Sequence, residues 1–130
     1  MRTRIARITT GVLALLLLVA TAAAAEYDKG TVQETMRNNL ANLPKLNAAA
    51  NSGNYMEAAG YLLSMAQGMY AIRDYQPPKG EKATWDASVK AFLKAAFDGL
   101  AACGSENQAA LKAAVAELAK VRDAGHAQFR

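Results

Sequence analysis

Four stretches of this chain repeat apolar residues at intervals of three and four, and that period constrains the fold more than any other feature. Val32, Met36, Leu40, Leu43 and Leu46 form the first set; Tyr55, Ala59, Leu62, Ala66 and Met69 form the second. Trp85, Val89, Phe92, Ala96, Leu100 and Cys103 make the third, and Leu111, Val115, Leu118, Arg122, His126 and Phe129 the fourth. Residues so spaced share one face of an α-helix. No stretch alternates apolar and polar residues as a half-buried strand would, so the chain reads as all-α.

The punctuation between the stripes agrees with four helices. Thr31 and Glu34 have the spacing of a capping box and should open the first helix. Asn51-Ser52-Gly53-Asn54 reads as a turn. Pro77-Pro78 stops the second helix, because proline restricts the residue before it and cannot continue the hydrogen-bond ladder. Gln76 to Lys82 is the longest link. Gly104 suits the end of the third helix, and Ser105 with Gln108 suits the start of the fourth. Short connections favour neighbours that run in opposite directions, which predicts an up-down-up-down antiparallel four-helix bundle. In that arrangement Met36, Met69, Trp85 and His126 converge within one or two turns of the same end.

The first residues carry a different signature. Arg2, Arg4 and Arg7 precede an apolar run from Gly11 to Ala20, and Ala22 to Ala25 offer small residues before Glu26. The apolar run is short for a transmembrane helix, which needs about 20 such residues. Residues 1–25 therefore read as a cleaved secretory leader and 26–130 as one small domain, exported most simply to a periplasm; an uncleaved anchor is the alternative. The whole chain has 15 Lys plus Arg against 11 Asp plus Glu. Three of those arginines lie in the leader, so the basicity belongs mostly to export. A nearly neutral domain has no footprint for nucleic acid or, once the leader is cut, for a membrane surface.

Cys103 stands alone, so no intramolecular disulfide can staple the fold. A free cysteine packs as a small hydrophobe; a bridge between two chains is the other reading. One histidine and one cysteine placed toward opposite ends of a bundle cannot close a zinc shell, and nothing pairs a nucleophile with a base or builds a phosphate-cradling loop.

His126 is the only histidine, and the fourth stripe turns it inward beside Arg122. Imidazole and thioether facing each other across a bundle interior are a known ligand pair for haem iron. Bland readings exist for each residue: a histidine at a helix C-terminus interacts with the dipole, methionine fills gaps in cores, and an arginine near a bundle end snorkels to water. Trp85 and Phe92 read as core with an edge toward any cofactor. Met69 is the reserve thioether, and Met56 and Met65 read as packing.

Arg122, Ala124, His126, Phe129 and Arg130 together resemble the C-terminal helix of the cytochrome b562 and cytochrome c′ group of four-helix bundles. In the c′ branch a Cys-x-x-Cys-His run stands there; this chain has Arg122 and Gly125 in the cysteine positions, while the b562 branch has no thioether links. Met36, in Glu34-Thr35-Met36-Arg37-Asn38-Asn39-Leu40, falls where the family's methionine ligand stands, and Pro77-Pro78-Lys79-Gly80 with Trp85 and Phe92 looks more like the c′ branch. The resemblance covers residues 30 to 130. It implies one non-covalent haem b held by Met36 and His126, with Arg122 facing a propionate and Phe129 and Trp85 against the ring. Cys103 lies about 30 Å from His126 along the bundle and cannot attach it.

Such a protein is not an enzyme. It would carry single electrons to a soluble periplasmic redox partner, with a homodimer also compatible. Two alternatives remain: a five-coordinate haem protein that binds small gases through His126 alone, and a haem-free bundle that serves as a binding or interaction module. Gly125 favours the latter, since glycine inside a helix costs about 1 kcal/mol relative to alanine.

Overall fold

The computed structural model describes residues 24–130, so the proposed leader lies almost wholly outside the described residues. Four helices follow in order: α1 (Lys29–Ser52), α2 (Tyr55–Ala71), α3 (Lys82–Gly104) and α4 (Gln108–Phe129). No strand occurs among the described residues; a single bridge joins Ala25 to Tyr75. Each helix packs on the next in sequence, and α1 meets α4 to close the set. The α1–α4 contact is the sparsest of the four.

The core follows the stripes. Leu46, Leu62, Met65, Ile72, Leu111 and Leu118 are fully buried, drawing on three helices and the end of α2. Each such side chain stabilises the fold by about 1.5–3 kcal/mol relative to exposure. From α3 come Trp85, Val89, Phe92, Ala96 and Cys103, all buried as the third stripe requires. Glycine lets the helices approach closely at one point: a Cβ on Gly99 of α3 would lie 2.9 Å from Leu62 Cδ1 of α2 and 3.5 Å from Ala114 Cβ of α4.

Two expectations about packing are corrected. Leu40 is 69% exposed, and Thr35 and Asn39 are buried in its place. The inward face of α1 is therefore Val32, Thr35, Asn39, Leu43 and Leu46, rotated slightly from the all-apolar stripe. Met56, read as packing, is 86% exposed, whereas Met65 is buried. Pro44 lies inside α1 and withholds the N–H that Leu40's carbonyl would accept. Both residues are on the solvent side of the helix.

The helix starts also differ from the capping boxes. Asp28, not Thr31, caps α1, its Oδ1 accepting from the Thr31 amide at 3.1 Å. Asn107, not Ser105, caps α4, its Oδ1 accepting from the Ala110 amide at 3.0 Å. Gln108 is thereby free to reach α1, where its Nε2 donates to the carbonyls of Ala50 and Asn51 at 3.0 Å each. Those bonds fix the start of α4 against the end of α1.

The two tight turns share one design. After α1, Gly53 (φ 69°) donates to the Ala50 carbonyl and Asn54 to the Ala49 carbonyl. After α3, Glu106 (φ 52°) donates to Cys103 and Asn107 to Ala102 in the same pattern. This pair of bonds is the Schellman arrangement, which needs a left-handed residue. The expected glycine, Gly104, is still helical.

Candidate functional site

A cleft of about 730 Å³ opens where α1 and α4 pack most sparsely. Met36 and His126 both line it, as do Met69, Trp85, Arg122 and Phe129. Its size falls within the range of roughly 300–1,000 Å³ usual for small-molecule sites. All five residues singled out from the sequence, Met36, His126, Arg122, Trp85 and Phe129, thus meet at one place. Cys103 does not: it is buried in the core and lines no part of the cleft.

Helix α4 supplies His126 because its stripe loses its apolar character after Leu118. Leu111, Val115 and Leu118 are buried, while Arg122, His126 and Phe129 are only half-buried and face the cleft. The imidazole has its proton affinity lowered, first by burial and then by the positive charges of Arg130 and Arg122, with Asp123 opposing. A depressed value keeps the ring neutral near pH 7, with a lone pair free on one nitrogen. Arg122 is not without an anionic partner: its Nη2 lies 2.9 Å from Asp123 Oδ1. Both members of that pair are accessible, so the guanidinium keeps further donors for another anion.

The aromatic wall is held from behind. Trp85 is buried, and its Nε1 donates to the Ile72 carbonyl at 3.1 Å. Phe129 meets Trp85 edge-on with ring centroids 5.2 Å apart. Tyr27 meets Trp85 at 6.4 Å and Tyr75 at 6.2 Å, both edge-on. The segment before α1 is tied down alongside, as the Ala25 amide donates to Asp74 and the Gln76 amide to Ala25. Gly80 closes the other side, with φ 88° and a Cβ position only 3.0 Å from Phe129 Cε1. No larger residue fits that loop without moving the ring.

Gly125 has a packing reason of its own. A Cβ there would lie 3.0 Å from Ser88 Oγ of α3, so the glycine marks a close approach of α4 to α3 beside the cleft.

Sequence reasoning gave no site role to Tyr27, Arg37, Asn39 and Ser88, and read Leu40 as part of the inward stripe; all five line the cleft. Arg37 and Asn39 flank Met36 closely enough on the helix to have been found. Tyr27 precedes the first helix and carried no periodic signal. Among the described residues no three His, Cys, Asp or Glu side chains group to hold a metal ion, and no helix is long and apolar enough to cross a membrane. The chain matches no family model, no curated protein and no solved structure.

Proposed function

We propose that this chain is an up-down-up-down antiparallel bundle that holds one non-covalent haem b between Met36 and His126 and carries single electrons in the periplasm, passing them to a soluble redox partner. One observation carries the reading: the only imidazole of the chain and a half-buried thioether, 90 residues apart in sequence, line one cleft. The donor set fits the group. Imidazole and thioether suit iron in both oxidation states, and Trp85, Val89, Phe92 and Phe129 offer apolar surface to a flat ring. When bound, the haem would supply the reversible one-electron couple.

The chain's own residues have separable tasks in this reading. His126 presents a neutral nitrogen because burial and two neighbouring guanidinium groups disfavour its protonated form. Arg37, Arg122 and Arg130 line the same cleft and offer charge to carboxylates at its mouth. Leu40, 69% exposed on the rim, would be covered by an apolar occupant. The Trp85 anchor to Ile72 and its contact with Phe129 keep the wall rigid, so that the ring orientation is set before anything binds.

Titration of the purified protein with haemin, followed at the Soret band, tests the reading. Saturable one-to-one binding that is lost in His126→Ala is the expected result. Met36→Ala should change the spin state more than the affinity. Absence of any band shift at micromolar protein would refute the proposal.

A further inference from the structure

Helix α2 carries one charged residue, Glu57, among its 17, whereas α1 carries four and α3 and α4 five each. An outer helix of a bundle in water shows a charged face opposite its apolar one. The outward row of α2 is instead Met56, Leu63 and Tyr70, seven residues apart and 86%, 48% and 54% exposed. Ser64 and Gly68 hold the other flank of α2 against Asn38 and Thr35 of α1, and Glu57, seven residues before Ser64, shares that flank. The row therefore lies toward α3. Phe97 of α3, 55% exposed, adjoins it: Lys82 on the same flank of α3 reaches the Arg73 carbonyl after α2, and Leu93 and Leu100 on that flank are half-buried. Four of the five large apolar side chains exposed among the described residues thus share one strip, on the opposite side of the bundle from the α1–α4 cleft. Gly60 interrupts the row, and a Cβ there would meet nothing within 4 Å. Glycine costs about 1 kcal/mol relative to alanine at such a position, and no contact among the described residues asks for it.

We propose that this strip is the interface of a homodimer in which α2 packs antiparallel on α2 of a second copy, about a two-fold axis at Leu63. The strip matches itself. Met56 and Tyr70 are equally far from Leu63, so the axis sets Met56 of each copy against Tyr70 of the other and Leu63 against its own counterpart. A Cβ on Gly99 would touch Leu62, which places Phe97 about level with Ser64. The axis then brings the second copy's Phe97 level with Leu62, within one turn of the gap that Gly60 leaves. A two-fold contact sets like against like near its axis, and a face without charge permits that. Lys82 and Asp86, beside the strip on α3, already pair with each other. The strip is about 25 Å long and about 20 Å, or two helices, wide; two copies cover roughly 1,000 Å² in total, the floor for a specific interface. Both clefts face outward, so the inference is independent of the haem reading.

Sedimentation equilibrium of the purified protein between about 1 and about 100 μM tests it. Twice the monomer mass is expected at the upper end. Leu63→Glu, which sets two carboxylates on the axis, should raise the dissociation constant at least about tenfold with helix content unchanged. A wild type that stays monomeric throughout would overturn the proposal, as would a Leu63→Glu protein that dimerises as tightly as wild type. Leu63→Cys gives a second readout that needs no added charge. Oxidation should join two copies through that position, while Leu40→Cys, on the cleft rim, should stay unjoined. Joining through Leu40→Cys as fast as through Leu63→Cys would overturn the proposal too.

Discussion

Gly125 of α4 stands against Ser88 of α3 so closely that an added Cβ would lie 3.0 Å from Ser88 Oγ. Two effects oppose each other there. Alanine in a helix is favoured over glycine by about 1 kcal/mol, while the contact demands that the serine hydroxyl move. Gly125→Ala should therefore stabilise the protein by less than about 1 kcal/mol in the native background and by the full amount when Ser88 is also alanine. A denaturant-unfolding cycle over the four variants measures the difference; equal gains in both backgrounds would mean that the serine does not constrain this site.

At Gly99 the balance falls the other way. Its would-be Cβ meets Leu62 Cδ1 at 2.9 Å, and Leu62 is fully buried and cannot swing clear. Gly99→Ala should cost about 1–3 kcal/mol by overpacking, despite its better helix propensity. Leu62→Ala in the same chain should recover part of that loss relative to the sum of the single changes. Urea midpoints of the three variants decide it.

Glu106 occupies a left-handed backbone position, φ 52°, in the turn where Gly53 occupies the matching one after α1. A non-glycine residue pays about 1–2 kcal/mol for that conformation. Glu106→Gly is expected to raise stability by about 1 kcal/mol, and Gly53→Ala to lower it by a similar amount. Opposite shifts of the thermal midpoint are the outcome to look for.

His126 links stability to acidity. Its proton affinity in the fold lies below the ordinary value of 6.5, with burial as the first cause. Below that value the unfolded chain takes up a proton that the fold resists, so acidification favours unfolding. The stability loss starts as pH falls through about 6.5 and levels off once the folded histidine is itself protonated. His126→Gln should flatten this part of the profile. Thermal midpoints compared between about pH 8 and about pH 5 test it, and equal slopes in both proteins would contradict the assignment.

Much of this architecture was legible from spacing alone. Helical period placed all four helices, and the third stripe, from Trp85 to Cys103, is buried as read apart from the half-buried Leu100. The inward face of α1 was not legible in full. Leu40 and Asn39 are adjacent, and which one turns inward depends on the rotation of α1 against α2 and α4. That rotation is set where a Cβ on Gly68 of α2 would meet Thr35 Cγ2 at 3.1 Å, a contact no local pattern encodes. The caps show the same limit: Asp28 and Thr31, or Ser105 and Asn107, are equally able to accept an amide, and the path of the chain chooses.

Periodicity is a property of neighbours along the chain, so the sequence by itself determined the helices, the apolar faces of all but α1 in full, and the placing of His126 on the stripe of α4. The cleft is a property of contacts between segments far apart in sequence. Only the tertiary structure decided that α1 and α4 part enough to leave about 730 Å³ between them, that Tyr27 and Gly80 close in on the Trp85–Phe129 wall, and that Asn39 is buried with its Oδ1 unpaired among the described residues.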